Sequence, residues 1–417
     1  MSSFEGYQEV DSYWYDQVPS YWGKTKNKYV FCQNKHVVGE NWEKFTLLTM
    51  GKSGVKPRDM DGGGKFPASF ETYQTVEPNQ LIFCLFDLDE TPRTIGISKD
   101  YGMITSAYDV FSTTEGNNSQ FWTYFYQMID DHKGLRPFYT GLRKVVKSET
   151  FMGIEVFSPP LEEQKLISRY LDKKTSQIDS LVEKFQKKIE LLKEQRNSLI
   201  NQCVTKGLDP NVEMKDSGVE WIGEIPKHWE VKKLKYVSTQ ISKKRTPVDG
   251  DIKISPENVE SSTGRITNFY SDYDTEGQVF QCGDILFNKL RVYLKKVILC
   301  DFEGLSMGEM IVIRPSTISN VFLHRVLNSD GFINHVNSLS EGVKLPRPSV
   351  SKIFDSYVPV PPTNDQLDIS TLIEQKTKLI DHVIDRYINR IDLTNEYRQS
   401  LISSVVTGKV QVTEDMI

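Results

Sequence analysis

Cysteine is scarce in this sequence. Cys32, Cys84, Cys203, Cys282 and Cys300 are odd in number, far apart and never spaced as C-x-x-C. That excludes a disulfide framework or a zinc ribbon and leaves reduced, mostly buried thiols as the expectation. The six histidines are as dispersed, and the nearest pair, His324 and His335, lacks ligand spacing, so no metal site is expected. No stretch approaches the roughly 18 to 20 uninterrupted apolar residues of a membrane helix, and the polar start MSSFEGYQEV has no signal-peptide layout. A cytoplasmic chain with no membrane partner is the expectation. Excess charge of one sign is missing too: 51 basic against 56 acidic residues give a net charge of -5. Without a blanket positive field, any nucleic-acid contact must come from local patches.

Catalytic motifs are equally absent. There is no Walker pattern, G-x-G-x-x-G, G-x-S-x-G or H-E-x-x-H, and no Asn/Asp-Pro-Pro-aromatic segment of a DNA amino-methyltransferase. The DGGGK at Asp61 to Lys65 reads as a surface turn, and the paired acids Asp130 and Asp131 read as a solvated helix end. No catalytic residue is assigned.

What is present is an internal repeat. The segment PPLEEQKLISRYLDKKTSQIDSLVEKFQKKIELLKEQRNSLINQCVT from Pro159 aligns without a gap on PPTNDQLDISTLIEQKTKLIDHVIDRYINRIDLTNEYRQSLISSVVT from Pro361. The offset is about 202 residues, and about 18 of about 47 positions are identical. Upstream, Trp14, Pro19 and Trp22 keep the spacing of Trp221, Pro226 and Trp229. These tryptophans read as anchors packing the start of each half on its core. The 417 residues therefore divide into two tandem units of about 200, each a Trp-Pro-Trp motif, a mixed globular region and a long helix.

Leu171, Ile178, Phe185, Leu192 and Leu199 recur every seven residues, and Ile373, Ile380, Tyr387 and Leu401 mark the second copy of the row. Such a heptad seam predicts helix pairing. Neither segment holds an internal Pro or Gly, so each helix should start just after its proline pair. Some 40 to 45 residues at about 1.5 Å each make rods of roughly 60 to 67 Å. Antiparallel pairing of the rods is expected, and further apolar positions, Leu181, Leu191, Val383 and Leu393, widen the stripe toward a protein partner.

The regions between show short β-type runs, such as LIFCLF and GDILFNKL, and one helical stretch each, SQFWTYFYQMIDD and VFLHRVLNSDGFINHVNSL. The expected class is α+β: two mixed domains, residues 1–158 and 208–358, joined by long helices at 159–207 and 359–417, with the last segment including the tail. The candidate DNA-binding residues are Lys26, Lys28, Arg93, Arg143, Lys144 and Lys147 in the first half. In the second they are Lys243, Lys244, Arg245, Lys289, Arg291, Tyr293, Lys344 and Arg347. Phosphate neutralisation and bidentate guanine contacts need these side-chain types. An adaptor with a long helical hairpin and protein- or glycan-binding end domains is the alternative.

The arrangement resembles the specificity (S) subunits of type I restriction-modification systems. WIGEIPKHWEVKKL, GDILFNKLR, SLSEGVKLPRPSVSKI, and the VPVPPTNDQ and SPPLEEQ segments leading into the helices carry that resemblance across essentially the whole chain. It implies a non-catalytic reader of double-stranded DNA whose two recognition domains each read half of a split, asymmetric site, with the helices as a ruler. It implies two methylation subunits on the spacer and restriction subunits beyond them. No cofactor is expected on this chain; S-adenosylmethionine, ATP and Mg2+ are expected on the partners. The first half departs from the pattern, with WYDQ for WIGE and KVVKSETF for KLPRPSVSKI.

Overall fold

The structure, a computed structural model, describes residues 6–51, 54–59, 69–141, 144–269, 275–342 and 346–417. The DGGGK turn, Arg143 and Lys344 lie outside these residues. The chain forms two compact units, Met1–Phe185 with Asn389–Ile417, and Gln186–Ile388. Each receives one part of each long helix. Among the described residues no helix is long and apolar enough to cross a membrane.

The long helices run from Leu161 to Lys206 and from Thr363 to Val406. Both begin directly behind their proline pairs, where the missing N–H would have no helical partner anyway. Both end at a left-handed glycine, Gly207 at φ +74° and Gly408 at φ +72°. A Cβ at Gly408 would lie 2.4 Å from Pro19 and 3.2 Å from Trp22; at Gly207 it would lie 3.1 Å from Trp229. The Pro and second Trp of each Trp-Pro-Trp motif thus form the seat for a helix end, and Trp22 and Trp229 are buried.

The first unit holds a four-stranded antiparallel sheet of β1 (Phe31–Asn34), β2 (Leu81–Phe83), β3 (Ile95–Ile97) and β4 (Asp109–Thr113), ordered β1-β4-β2-β3. The second repeats it with β5 (Ser238–Ile241), β6 (Ile285–Asn288), β7 (Val297–Leu299) and β8 (Met310–Pro315), ordered β5-β8-β6-β7. A second sheet in that unit joins Lys244–Arg245, Gly277–Phe280, Gly304–Ser306 and Lys253–Ile254. The sheet of the first unit is covered by helix Ser119–Asp131, and Phe31, Phe83, Phe111, Trp122, Tyr126 and Phe151 form one aromatic core. In the second unit the stretch read as one helix is two, Asn320–Leu327 and Asp330–Ser338. Ser329 causes the break: its hydroxyl donates to Val326 O at 2.7 Å and accepts from Phe332 N at 3.3 Å, capping a new helix.

Each long helix packs by its apolar stripe. In the first unit Ile167, Leu171 and Ile178 share a core with Leu401, Ile402, Val405 and Val406, so the start of one helix lies beside the end of the other. In the second unit Ile200, Cys203 and Val204 share a core with Ile369 and Ile373, again end beside start. The helical segments are therefore antiparallel within each unit. Of the heptad residues, Leu171, Ile178, Ile373 and Leu401 are buried and Phe185, Leu192, Leu199, Ile380 and Tyr387 half-buried. Burying one such aliphatic side chain contributes about 1.5–3 kcal/mol. An ion pair recurs beside the stripe: Arg398 Nε stands 3.5 Å from Asp179 Oδ1 in the first unit, and Arg196 Nε 3.0 Å from Asp381 Oδ1 in the second.

The shared Pro-Pro-x3-Gln pattern has a physical reason. Gln164 accepts from Asn118 N at 2.8 Å and donates to Pro159 O at 2.9 Å. Gln366 accepts from Ser319 N at 2.7 Å and donates to Pro361 O at 2.7 Å. Asn118 and Ser319 are the N-caps of helices Ser119–Asp131 and Asn320–Leu327, so one buried amide ties each long helix to the helix covering its sheet. One other expectation is corrected. Asp130 is buried and Asp131 half-buried rather than solvated, because Arg93 reaches both, at 3.4 and 2.8 Å, and Lys133 reaches Asp130 at 3.0 Å. The thiols are mostly buried, as expected: Cys84, Cys203 and Cys300 are buried while Cys32 and Cys282 are exposed.

Replacing Gln366 by Ala removes both hydrogen bonds and leaves the Ser319 N–H without its acceptor, which should cost about 2–3 kcal/mol. Urea denaturation of the full chain checks this, and a midpoint equal to that of the parent would refute the role given to Gln366.

Candidate nucleic-acid interface

In the second unit the hairpin β6–β7 carries residues 289–296 at its tip, with Lys289, Arg291, Lys295 and Lys296 and no acid among them. Asn288 starts the turn: its amide donates to Leu290 O at 2.8 Å and accepts from Leu290 N at 3.2 Å. Arg291 at φ +53° and Lys295 at φ +51° flank a single turn of 3-10 helix, Val292–Leu294. Left-handed backbone at non-glycine residues costs about 1–3 kcal/mol each and persists only where surroundings enforce it. Here they do. Val292 is sunk in the core, Lys295 is buried with Nζ 2.7 Å from Asp330 Oδ1, and Lys296 Nζ donates to Pro256 O at 2.7 Å. The backbone of Arg291 donates to Pro346 O at 3.3 Å, which brings the loop holding Arg347 alongside.

Glu309 organises the cations. Lys289 Nζ lies 2.6 Å and Arg347 Nη1 2.9 Å from its two carboxylate oxygens, so two positive charges share one negative. Arg291 and Tyr293 are exposed, and Arg291 makes no ion pair among the described residues. The tip therefore keeps a net positive charge and one outward aromatic ring. Lys295 and Lys296 point inward and act as struts.

The other candidate residues separate into accessible and engaged cations. Lys243 and Lys244 are exposed beside the second sheet, whereas Arg245 is held by Asp251 through Nη1 at 2.5 Å and Nη2 at 2.7 Å. The guanidinium of Arg245, with the Val248 N–H, holds the Asp251 carboxyl down at about 2. In the first unit Lys28 is exposed, its ammonium 4.9 Å from the Tyr29 ring centre, and Lys147 is exposed ahead of helix Ser148–Gly153. Lys26 stands 3.6 Å from Glu155. Lys144 lies 2.8 Å from Asp89, which Arg136 also contacts at 3.0 Å; these two cations hold the Asp89 carboxyl down at about 2. Arg93, as described, is built into the acid pair at the end of helix Ser119–Asp131. The structure thus assembles Lys289, Arg291, Tyr293 and Arg347 around one loop and directs Arg93, Lys144 and Arg245 to carboxylates.

Glu309 and Asp330 were missed by reading the sequence. Neither carries a local signal, since each acts on partners 20 to 38 residues away. Asn288 had one: an Asn before a loop is a turn former.

His324 supports this hairpin from helix Asn320–Leu327, with Nε2 3.3 Å from Val297 O on β7. Burial pushes its imidazole down to about 4, and the neighbouring Arg325 charge adds to the effect. The folded value lies below the ordinary 6.5, so the unfolded chain binds this proton more readily. Above pH 6.5 the residue leaves stability unchanged. As pH falls from about 6.5 to about 4, stability should drop, by at most about 3 kcal/mol. Comparing thermal unfolding of the parent and His324→Gln across that range checks it; equal pH dependence in both would contradict it.

The geometry defines a duplicated scaffold with a basic, rigid tip loop in its second unit. No family model matches the chain. In sequence it is 23% identical over 278 residues to the EcoDI type I restriction enzyme specificity subunit of Escherichia coli, covering 62% of each chain. It is 27% identical over 297 residues to the MjaVIII type I specificity subunit of Methanocaldococcus jannaschii, covering 66% of each. The chain thus spans a little under two-thirds of the length of these curated relatives. In fold it matches a chain from a structural study of complex assembly and conformational transition in the type I R-M system, with a TM-score of 0.68 at 11% identity, covering 94% of this chain and 99% of that one. The HsdS subunit of Thermoanaerobacter tengcongensis matches with a TM-score of 0.50 at 12% identity, covering 94% and 98%. The resemblance read from the repeated helices therefore holds: this chain is similar to type I restriction enzyme specificity subunits in sequence and has the fold of such S subunits.

Proposed function

We propose that this chain is the sequence-specific DNA-recognition subunit of a type I restriction-modification complex, itself without catalytic activity. The observation that carries the proposal is the duplication of one frame, a four-stranded sheet tied by a glutamine to a long helix, under two tip loops of different chemistry. A reader of two unlike half-sites requires that combination. The globular regions within 1–158 and 208–358 act as the two recognition domains, and 159–207 and 359–417 as helical spacers that set the gap between half-sites. Lys28, Lys147, Lys243 and Lys244 neutralise phosphates, and Arg291, Tyr293 and Arg347 face the bases, in a major-groove approach in which backbone contacts position and base-edge contacts specify.

Two methylation subunits dock on the helices, where Leu181, Leu393 and Tyr397 of the first unit and Leu191, Leu379 and Ile388 of the second are exposed. An exposed apolar stripe beside a buried one fits a protein partner. Those subunits supply S-adenosylmethionine chemistry, and restriction subunits supply ATP- and Mg2+-dependent cleavage, in the cytoplasm.

Co-expression with the methylation subunits should place methylated adenines at one bipartite motif, read by methylome sequencing. The purified complex should lose affinity with rising salt, and Lys244→Ala should lower the slope of log K against log salt by about 1 with the motif unchanged. Absence of any chain-dependent methylation would refute the proposal.

A further inference from the structure

The hairpins β2–β3 and β6–β7 occupy the same place in equivalent sheets, but their tips are opposites. The tip in the first unit, residues 84–94, carries Asp87, Asp89 and Glu90, and its aromatic, Phe86, is stacked on Tyr108 with ring centres 6.0 Å apart. The tip in the second unit is basic, and its aromatic, Tyr293, is 54% exposed with no ring partner among the described residues. The ring stands in water at the apex of a loop that is fastened through Val292, Lys295 and Lys296. Val292 beside it fills the core, whereas Tyr293 makes no side-chain hydrogen bond among the described residues.

We propose that Tyr293 is a wedge, inserting its ring against a base step of the half-site bound by the second unit, while the matching hairpin of the first unit makes no such insertion. This rests on the DNA-reading function above and adds a specificity-determining side chain with a defined mode of action. Three features suit the role. The backbone on both sides is locked in the left-handed region and held by Asp330, Pro256 and Pro346, so presenting the ring costs little further ordering on binding. The tip that carries the ring keeps a net positive charge, with Lys289 and Arg347 sharing the one carboxylate of Glu309, which favours close approach to DNA. A tyrosine ring offers a flat, largely apolar face to stack on a base, and steps that unstack easily are thereby selected without hydrogen bonds to base edges. On the first unit's tip the aromatic, Phe86, is already stacked on Tyr108 and is not offered outward.

The test uses the complex of the full chain with its methylation subunits and a duplex bearing the motif found by methylome sequencing. 2-Aminopurine replaces each purine of both half-sites in turn, the methylated adenines excepted. Binding should raise the fluorescence several-fold at one step in one half-site only. Tyr293→Ala should abolish that rise and weaken specific binding at least tenfold with non-specific binding unchanged, and Tyr293→Phe should retain both. Because the side chain is exposed, the melting temperature of each variant should equal that of the parent. If specific binding occurs but no step brightens, or if Tyr293→Ala behaves as the parent, the wedge is wrong and the reader stands. If the parent complex does not discriminate the motif from random duplex, both are wrong.

Discussion

The burial of each long helix against the far end of the other is the constraint on which the rest of the structure depends. Neither helix can satisfy its apolar stripe alone, and neither sheet can complete its core without them. In the first unit Leu401, Ile402 and Val405 are as much part of the hydrophobic core as Phe31 or Phe83, although they come from the opposite end of the chain. In the second, Ile200 and Val204 fill the same role beside Ile285 and Phe287. Each unit is thus built from segments distant in sequence, and the glycine that stops a helix is seated on the Trp-Pro-Trp motif of the unit in which it stops.

This frame separates what must be kept from what is free to change. Residues that hold the frame together occur in both copies: the proline pair, the buried Gln164 and Gln366, and the Arg-Asp pairs between the long helices. The loops at the tips of the sheets are held by contacts within their own unit, so their charge and side chains vary without disturbing the frame. A basic, strained tip in one unit and an acidic, cross-linked tip in the other follow from that freedom. Function lives in such grafted loops rather than in the fold.

Much of the frame was legible in the sequence because its signals are local and periodic. The heptad spacing and the proline pairs located both long helices to within a residue of Leu161 and Thr363, and the helix Ser119–Asp131 matched its apolar period. The break at Ser329 was hidden because a capping serine within an apolar-periodic stretch leaves the period intact. The strands are two to six residues long, too short for alternation to bound them. For the candidate interface, the positions of the cations were legible, but their state was not. Whether Arg93 is free or held is decided by carboxylates 37 and 38 residues away, and whether Lys289 and Arg347 converge is decided by Glu309. Non-local electrostatics of this kind has no sequence period.

Hydrogen exchange on the full-length variant Ile402→Asp tests the shared core most directly. A carboxylate placed at this fully buried position should strip protection not only from the surrounding turns of its own helix but also from residues 161–180 and from strands β1 to β4. Protection lost only within residues 389–417, with the sheet and the first helix unchanged, would contradict the account.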